Sequence, residues 1–274
     1  MRDIALYRPG KDFPSLSVTG GRCELMCRHC QGRYLKGMLP VLDPPALERT
    51  ANDVRTRGGS GVLISGGCDA QGKVPLQAFL PALRRARREK GLLVNIHPGL
   101  VSSEEAADIA ASADRISFDL VLDEDAIRSR MNLGRTPEDY MDSFRALCQA
   151  APGRVAPHVL LGIGQEENEI EAVRQACREE IPCLILLSLL DEKVADWNGR
   201  LLRAVEEGAG RGRPVVLGCM RPRGRADVEM AALYAGAEGI ANPSSALVLL
   251  VRKEGWKVQE HRLCCALHRY MPCL

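Results

Sequence analysis

The chain carries almost no net charge: 37 Lys and Arg stand against 35 Asp and Glu over 274 residues, a formal +2. That balance argues against a polyanion such as a nucleic acid as the main partner. Long apolar runs are missing too. The longest late one, Ala246 to Val251, falls far short of the roughly 20 residues that cross a bilayer, so a soluble, cytoplasmic protein without a membrane partner is expected. No low-complexity segment or interdomain linker interrupts the chain, and no Gly-x-Gly-x-x-Gly follows the first expected strand, which removes the usual signature of a dinucleotide-binding open sheet. Nor is there an even set of cysteines: eleven, with no signal-peptide pattern before them, do not suit a secreted disulfide scaffold. Reduced thiols are expected.

Those thiols are the most informative feature present. Cys23-Glu-Leu-Met-Cys27-Arg-His-Cys30 places three cysteines within eight residues, just after the strand expected at Ser15 to Val18. Three thiolates on one loop can hold three irons of a cubane and leave the fourth open, whereas a ferredoxin-type carrier fills its cluster with four cysteines. An iron with a vacant position can bind a substrate. A structural zinc site needs four ligands, and the nearest fourth, His29, lies awkwardly between Cys27 and Cys30 for the same metal.

Short apolar runs alternate with amphipathic segments along the rest of the chain. Strands are expected at Ser15 to Val18, Gly61 to Ser65, Leu92 to His97, Arg115 to Val121, Val155 to Ile163, Cys183 to Leu190, Pro214 to Met220 and Gly239 to Asn242, with seven helices between Pro45 and Ala235. Ser102-Ser103-Glu104-Glu105 has the capping and acidic residues of a helix start. Strand and helix alternating about eight times predict an α/β fold of the (β/α) TIM-barrel type, full or partial. Residues 1–245 would form the barrel, and residues 246–274 a cysteine-containing extension lying over its open face.

In such barrels the chemistry sits at the C-terminal ends of the strands. Cys23, Cys27 and Cys30 follow the first expected strand, Cys68 the second, and Cys219 ends the seventh, so all should share one rim. Cys148, Cys177 and Cys183 fall elsewhere and read as packing residues. A tail crossing the same face would bring Cys264 or Cys265 toward Cys68 and Cys219, enough thiols for a second cluster; neighbouring cysteines cannot easily bind one iron together, so one of the two is favoured. Cys273, beside the terminus, is expected to fray.

The Cys-x3-Cys-x2-Cys motif resembles that of the radical S-adenosylmethionine (SAM) superfamily. The resemblance implies a [4Fe–4S] cluster on Cys23, Cys27 and Cys30 whose open iron is chelated by SAM, which is cleaved to a 5′-deoxyadenosyl radical. It further implies that His29 lies near the adenine, that Gly66 and Gly67 meet the methionine amino group, that Asp119 meets a ribose hydroxyl or that amino group, and that Gly162 and Gly164 lie on the adenine strand. Cys68 replaces the Glu of the family's Gly-Gly-Glu element. The segments around Leu122 to Ala126, Met131 to Leu133 and Thr136 to Tyr140 resemble the biotin synthase branch, and the double-cysteine tail resembles the smaller member of two-component lipoyl synthases. That likeness implies sulfur insertion into an octanoyl chain on a lipoyl carrier protein, a second auxiliary [4Fe–4S] cluster as sulfur source, a second radical SAM subunit, and an electron donor such as ferredoxin or flavodoxin. Arg221, Arg223 and Arg225 would dock the acidic carrier. Two rivals are a single-cluster mutase or metallocofactor maturation enzyme, and a non-catalytic iron–sulfur or zinc carrier.

Overall fold

All seven residues of Val155–Leu161 are buried, as a parallel strand covered on both faces requires. The computed structural model describes residues 2–190, 194 and 196–270. Its strands are β1 (Asp3–Tyr7), β2 (Ser15–Ser17), β3 (Leu39–Pro40), β4 (Gly61–Ser65), β5 (Leu93–Ile96), β6 (Arg115–Asp119), β7 (Val155–Leu161), β8 (Leu184–Ser188), β9 (Val215–Leu217), β10 (Ala237–Ala241) and β11 (Lys257–His261). They form one sheet in the order β11-β1-β10-β9-β8-β7-β6-β5-β4-β2-β3. Every pairing is parallel. The sheet curls into a partial TIM-type barrel, as expected, with β3 and β11 as its edges.

The helices are α1 (Pro44–Thr56), α2 (Leu80–Lys90), α3 (Ser103–Ser112), α4 (Pro137–Ala150), α5 (Glu166–Arg178), α6 (Trp197–Gly210), α7 (Ala226–Tyr234) and α8 (Ser245–Lys253). Their starts are chemically marked. Ser102 and Glu105 form a reciprocal capping box on α3, Thr136 and Asp139 another on α4, and Asp43 caps α1 ahead of a proline. No helix among the described residues is long and apolar enough to cross a membrane.

The eight expected strands correspond to β2 and β4 to β10. The sequence reading missed β1, β3, β11 and α8. The apolar run of β1, Asp-Ile-Ala-Leu-Tyr, precedes the first clear strand–helix unit, and its partners β10 and β11 lie over 230 residues away.

The tail departs from expectation. It does not cross the face where the strands end; it closes the opposite mouth. The Tyr270 hydroxyl donates to Asp114, the residue before β6, at 3.3 Å. His268 meets Glu238, early in β10, at 3.3 Å, and the Cys183 thiol, just before β8, faces the Ala266 carbonyl at 3.8 Å. The physical reason is apolar burial: Cys265 and Ala266 complete a small core with Ala5, Tyr7, Ala156, Cys183, Ile185 and Val216, a patch of strand interior that would otherwise face water. Cys273 lies outside the described residues.

Candidate metal and cofactor site

The cysteine loop leaves β2 and is shaped by its backbone. Met26 and Gln31 adopt φ of 43° and 49°, a left-handed conformation costly for such side chains that turns the chain between successive cysteines. The loop is pinned from across the barrel by the segment before α4. Arg28 donates its N–H to the Arg130 carbonyl at 2.7 Å, the Cys27 thiol to the Met131 carbonyl at 3.2 Å, and the Asn132 amide to the Leu25 carbonyl at 3.1 Å. The sequence likeness around Met131 to Leu133 thus marks a buttress of the cysteine loop.

Burial is the main reason the Cys27 thiol is pushed up to about 12, with Cys30 and Cys23 adding to it. Burial also raises Cys30. Buried neighbouring thiols that resist ionisation are stabilised as thiolates by a shared cation, so this loop fits a three-cysteine iron–sulfur cluster. Cys68 sits beside it: its carbonyl accepts from Glu24 N–H at 2.9 Å, and its thiol is raised by burial and then by Cys23 and Cys27. A cleft of about 330 Å³ opens here, lined by Arg22, Cys23, Gly67 and Cys68.

Gly66 and Gly67 let the loop after β4 lie against the cysteine loop. A Cβ on Gly67 would stand 2.0 Å from the Arg22 carbonyl oxygen and 2.6 Å from Cys23 Cα, while its N–H is held by the Thr19 hydroxyl at 2.7 Å. Both close neighbours are backbone, so Gly67→Ala displaces the first cysteine. Reconstituted Gly67→Ala protein is expected to lose most of its cluster iron, measured against wild type by iron and sulfide analysis. Full retention would show that the close approach does not matter to the cluster.

Asp119, at the end of β6, stands beneath this loop among imidazoles. Its Oδ2 is 3.4 Å from His97 Nε2 and its Oδ1 3.9 Å from His158 Nδ1. Although deep in the barrel, 45% of its side chain is open, which places it on the wall of an open lumen. Burial there would raise the carboxyl, but the His97 charge and hydrogen bond overcome it and hold it down at about 2. Burial and the His97 charge depress His158 to about 4. His29 is lowered by burial, against the pull of Asp119, and its Nδ1 is buried without a partner.

Gly162 and Gly164 are knit into a different network. Glu169 Oε1 accepts their N–H groups at 2.7 and 3.3 Å and is itself paired with Arg200 at 2.9 Å. A Cβ on Gly164 would meet Asp123 at 2.5 Å, and Asp123 accepts from Gln165 N–H and Asn168. Sequence reasoning singled out the glycines and missed Glu169 and Arg200, which hold them.

Lower in the lumen, Asn95 donates to Cys264 Sγ at 3.4 Å. The Cys264 thiol is lowered, chiefly by a hydrogen bond from Cys265, and Cys265 is raised as that donor. Cys264 faces Asn95, whereas Cys265 is buried in the apolar patch, so Cys264 is the better placed of the two for a metal. Cys219 follows β9 and keeps an open surface; burial raises its thiol and Cys264 adds to this. The expected rim set therefore divides: Cys68 stands with Cys23 and Cys27, Cys219 lies just beyond β9, and Cys264 and Cys265 belong to the tail at the other mouth.

Of the three arginines expected to dock a partner, one is buried and two stay at the surface. Arg221 is 2% exposed, clamped on Glu229 at 2.7 Å. Arg223 donates to the Asn242 and Cys219 carbonyls, and Arg225 pairs with Asp227. Arg221 is thus committed to the interior, while Arg223 and Arg225 keep exposed surface.

A partial β/α barrel with three crowded cysteines on the loop after β2 defines an iron–sulfur protein whose site lies at the strand ends. The family model of the radical SAM superfamily matches residues 17–177, more than half of the chain, and the chain belongs to that superfamily. Membership implies a [4Fe–4S] cluster and SAM, and Cys23, Cys27 and Cys30 are the residues of this chain that would hold the cluster. Among solved structures the chain is similar to methylornithine synthase (PylB), at 15% identity and TM-score 0.64 over 93% of this chain and 83% of that one. It is similar to Streptococcus suis SuiB bound to S-adenosylmethionine, at 13% identity and TM-score 0.53 over 99% and 60%. An HMG-CoA lyase from Brucella melitensis shares the barrel, at 10% identity and TM-score 0.59 over 94% and 93%. These likenesses concern the fold. The comparison with curated proteins found no match.

Proposed function

We propose that this radical SAM enzyme is a sulfurtransferase, inserting sulfur at an unactivated C–H position of an octanoyl chain borne on a lipoyl carrier protein. The observation that motivates the reading is the set of thiols left outside the motif loop: Cys219 just beyond β9, and Cys264 of the tail, whose Sγ accepts from Asn95 inside the barrel. They would hold the auxiliary [4Fe–4S] cluster that supplies sulfur, apart from the SAM-binding cysteines. The chain's own part is positioning and exclusion of water: the tail closes one mouth of the barrel, and Asn95 holds Cys264 in the lumen. With Arg221 buried, docking of the carrier or of a second radical SAM subunit would use the exposed Arg223 and the exposed apolar residues near the cysteine loop, Met26, Tyr34, Leu39 and Leu42. Ferredoxin or flavodoxin would deliver the electron.

A second reading, a single-cluster mutase or maturation enzyme, is favoured by the charged Asp119 and its histidines in the lumen, which suit a polar substrate better than an alkyl chain. One variant separates the two. Cys219→Ala is expected to go on forming 5′-deoxyadenosine from SAM and to lose sulfur-inserted octanoyl product, both followed by mass spectrometry. Product at the wild-type yield would end the sulfurtransferase reading.

A further inference from the structure

Three adjacent parallel strands place His97, Asp119 and His158 on one wall of the lumen, with a ligating atom from each lying within 4.8 Å of the other two. We infer that they form a mononuclear site for a first-row divalent transition metal, built from ligands other than the cysteines. The proposal goes beyond sulfur transfer and does not depend on it.

Pairing between His97 and Asp119 Oδ2 accounts for only one side of the arrangement. Charge-assisted N–H···O bonds run at about 2.7–2.9 Å, whereas the two His–Asp119 separations here are 3.4 and 3.9 Å. Asp119 Oδ1 and His158 Nδ1 are buried with no hydrogen-bond partner, although His158 is only 8% exposed. Unmet buried polar atoms of this kind are costly. A cation at about 2.0–2.2 Å from each ligand would satisfy both at once, because neighbouring ligands of such an ion lie a little over 3 Å apart, and a small rotation of one imidazole closes the remaining distance.

The backbone holds the three in place. His97 donates its N–H to the Ile64 carbonyl at 2.9 Å, and its own carbonyl accepts from the Ser65 hydroxyl at 3.0 Å. Asp119 and His158 are register partners of β6 and β7. Sites carried on strands are held more tightly than sites on loops. The donor set selects the ion: two imidazoles and one carboxylate with open positions suit Zn²⁺ or Fe²⁺, whereas Mg²⁺ and Ca²⁺ favour oxygen ligands throughout. The open positions, on the lumen side, would take water or an oxygen-bearing group of a substrate. This assignment removes Asp119 from the SAM-binding set expected from sequence.

The test uses the anaerobically reconstituted full chain with its clusters in the oxidised, diamagnetic state, so that added Co²⁺ is read directly by EPR. One equivalent of high-spin Co²⁺ with ¹⁴N hyperfine coupling is expected. Loss of outer-sphere partners costs about 10–100-fold in metal affinity, so Asp119→Asn and His158→Gln, each removing a direct ligand, should weaken Co²⁺ by at least about tenfold. Iron and sulfide content checks the fold of each variant, and His97→Gln, at a more open position, replaces His158→Gln if that variant fails to retain its clusters. Absence of stoichiometric Co²⁺, or binding with unchanged affinity and nitrogen coupling in folded variants, overturns the site.

Discussion

Changing Cys23, Cys27 and Cys30 together to alanine will abolish formation of 5′-deoxyadenosine and leave about four irons per chain, the content of one cubane, on the remaining thiols. The loss follows from family membership and geometry: these cysteines share one loop, crowd one another, and are buttressed by Arg130, Met131 and Asn132. Retention is expected on the sulfurtransferase reading, because Cys219 and Cys264 lie outside the motif loop and Cys264 is held by Asn95. Anaerobic iron and sulfide analysis with Mössbauer spectra reads both. A variant without iron would make this a single-cluster enzyme and end the auxiliary-cluster reading; a variant that still cleaved SAM would remove the motif from the chemistry.

Glu229→Ala will destabilise the protein by about 3–5 kcal/mol, the usual cost of leaving one partner of a buried ion pair uncompensated. Glu229 is 1% exposed and Arg221 2%. The guanidinium also donates to the Gly218 and Ala241 carbonyls at 2.6 Å each, so the pair fixes the loop that presents Cys219. Urea denaturation measures the loss, and the paired replacement Arg221→Met with Glu229→Leu should recover most of it, since well-packed apolar groups often replace such pairs without penalty. A shift below about 1 kcal/mol, the scale of an exposed pair, would contradict the burial on which this rests. Reduced iron in Glu229→Ala, with SAM cleavage kept, is the matching consequence for Cys219.

What the sequence by itself determined was local. Cysteine spacing named the chemistry, because three ligands carried on one short loop are recognisable without any distant partner. Apolar runs set off by capping residues marked the strands β2 and β4 to β10, because burial on both faces leaves a continuous pattern that does not depend on distant partners. Tertiary structure decided whatever depends on which distant residues meet. It added β1 and β11, whose pairing joins the two ends of the chain. It carried the tail to the opposite mouth, where an apolar patch awaited Cys265 and Ala266. It also turned Arg221 inward onto Glu229, a partner that an arginine-rich segment does not announce. His97 and His158 were invisible as a pair for the same reason. They lie 61 residues apart on strands that only the curled sheet brings to opposite sides of Asp119.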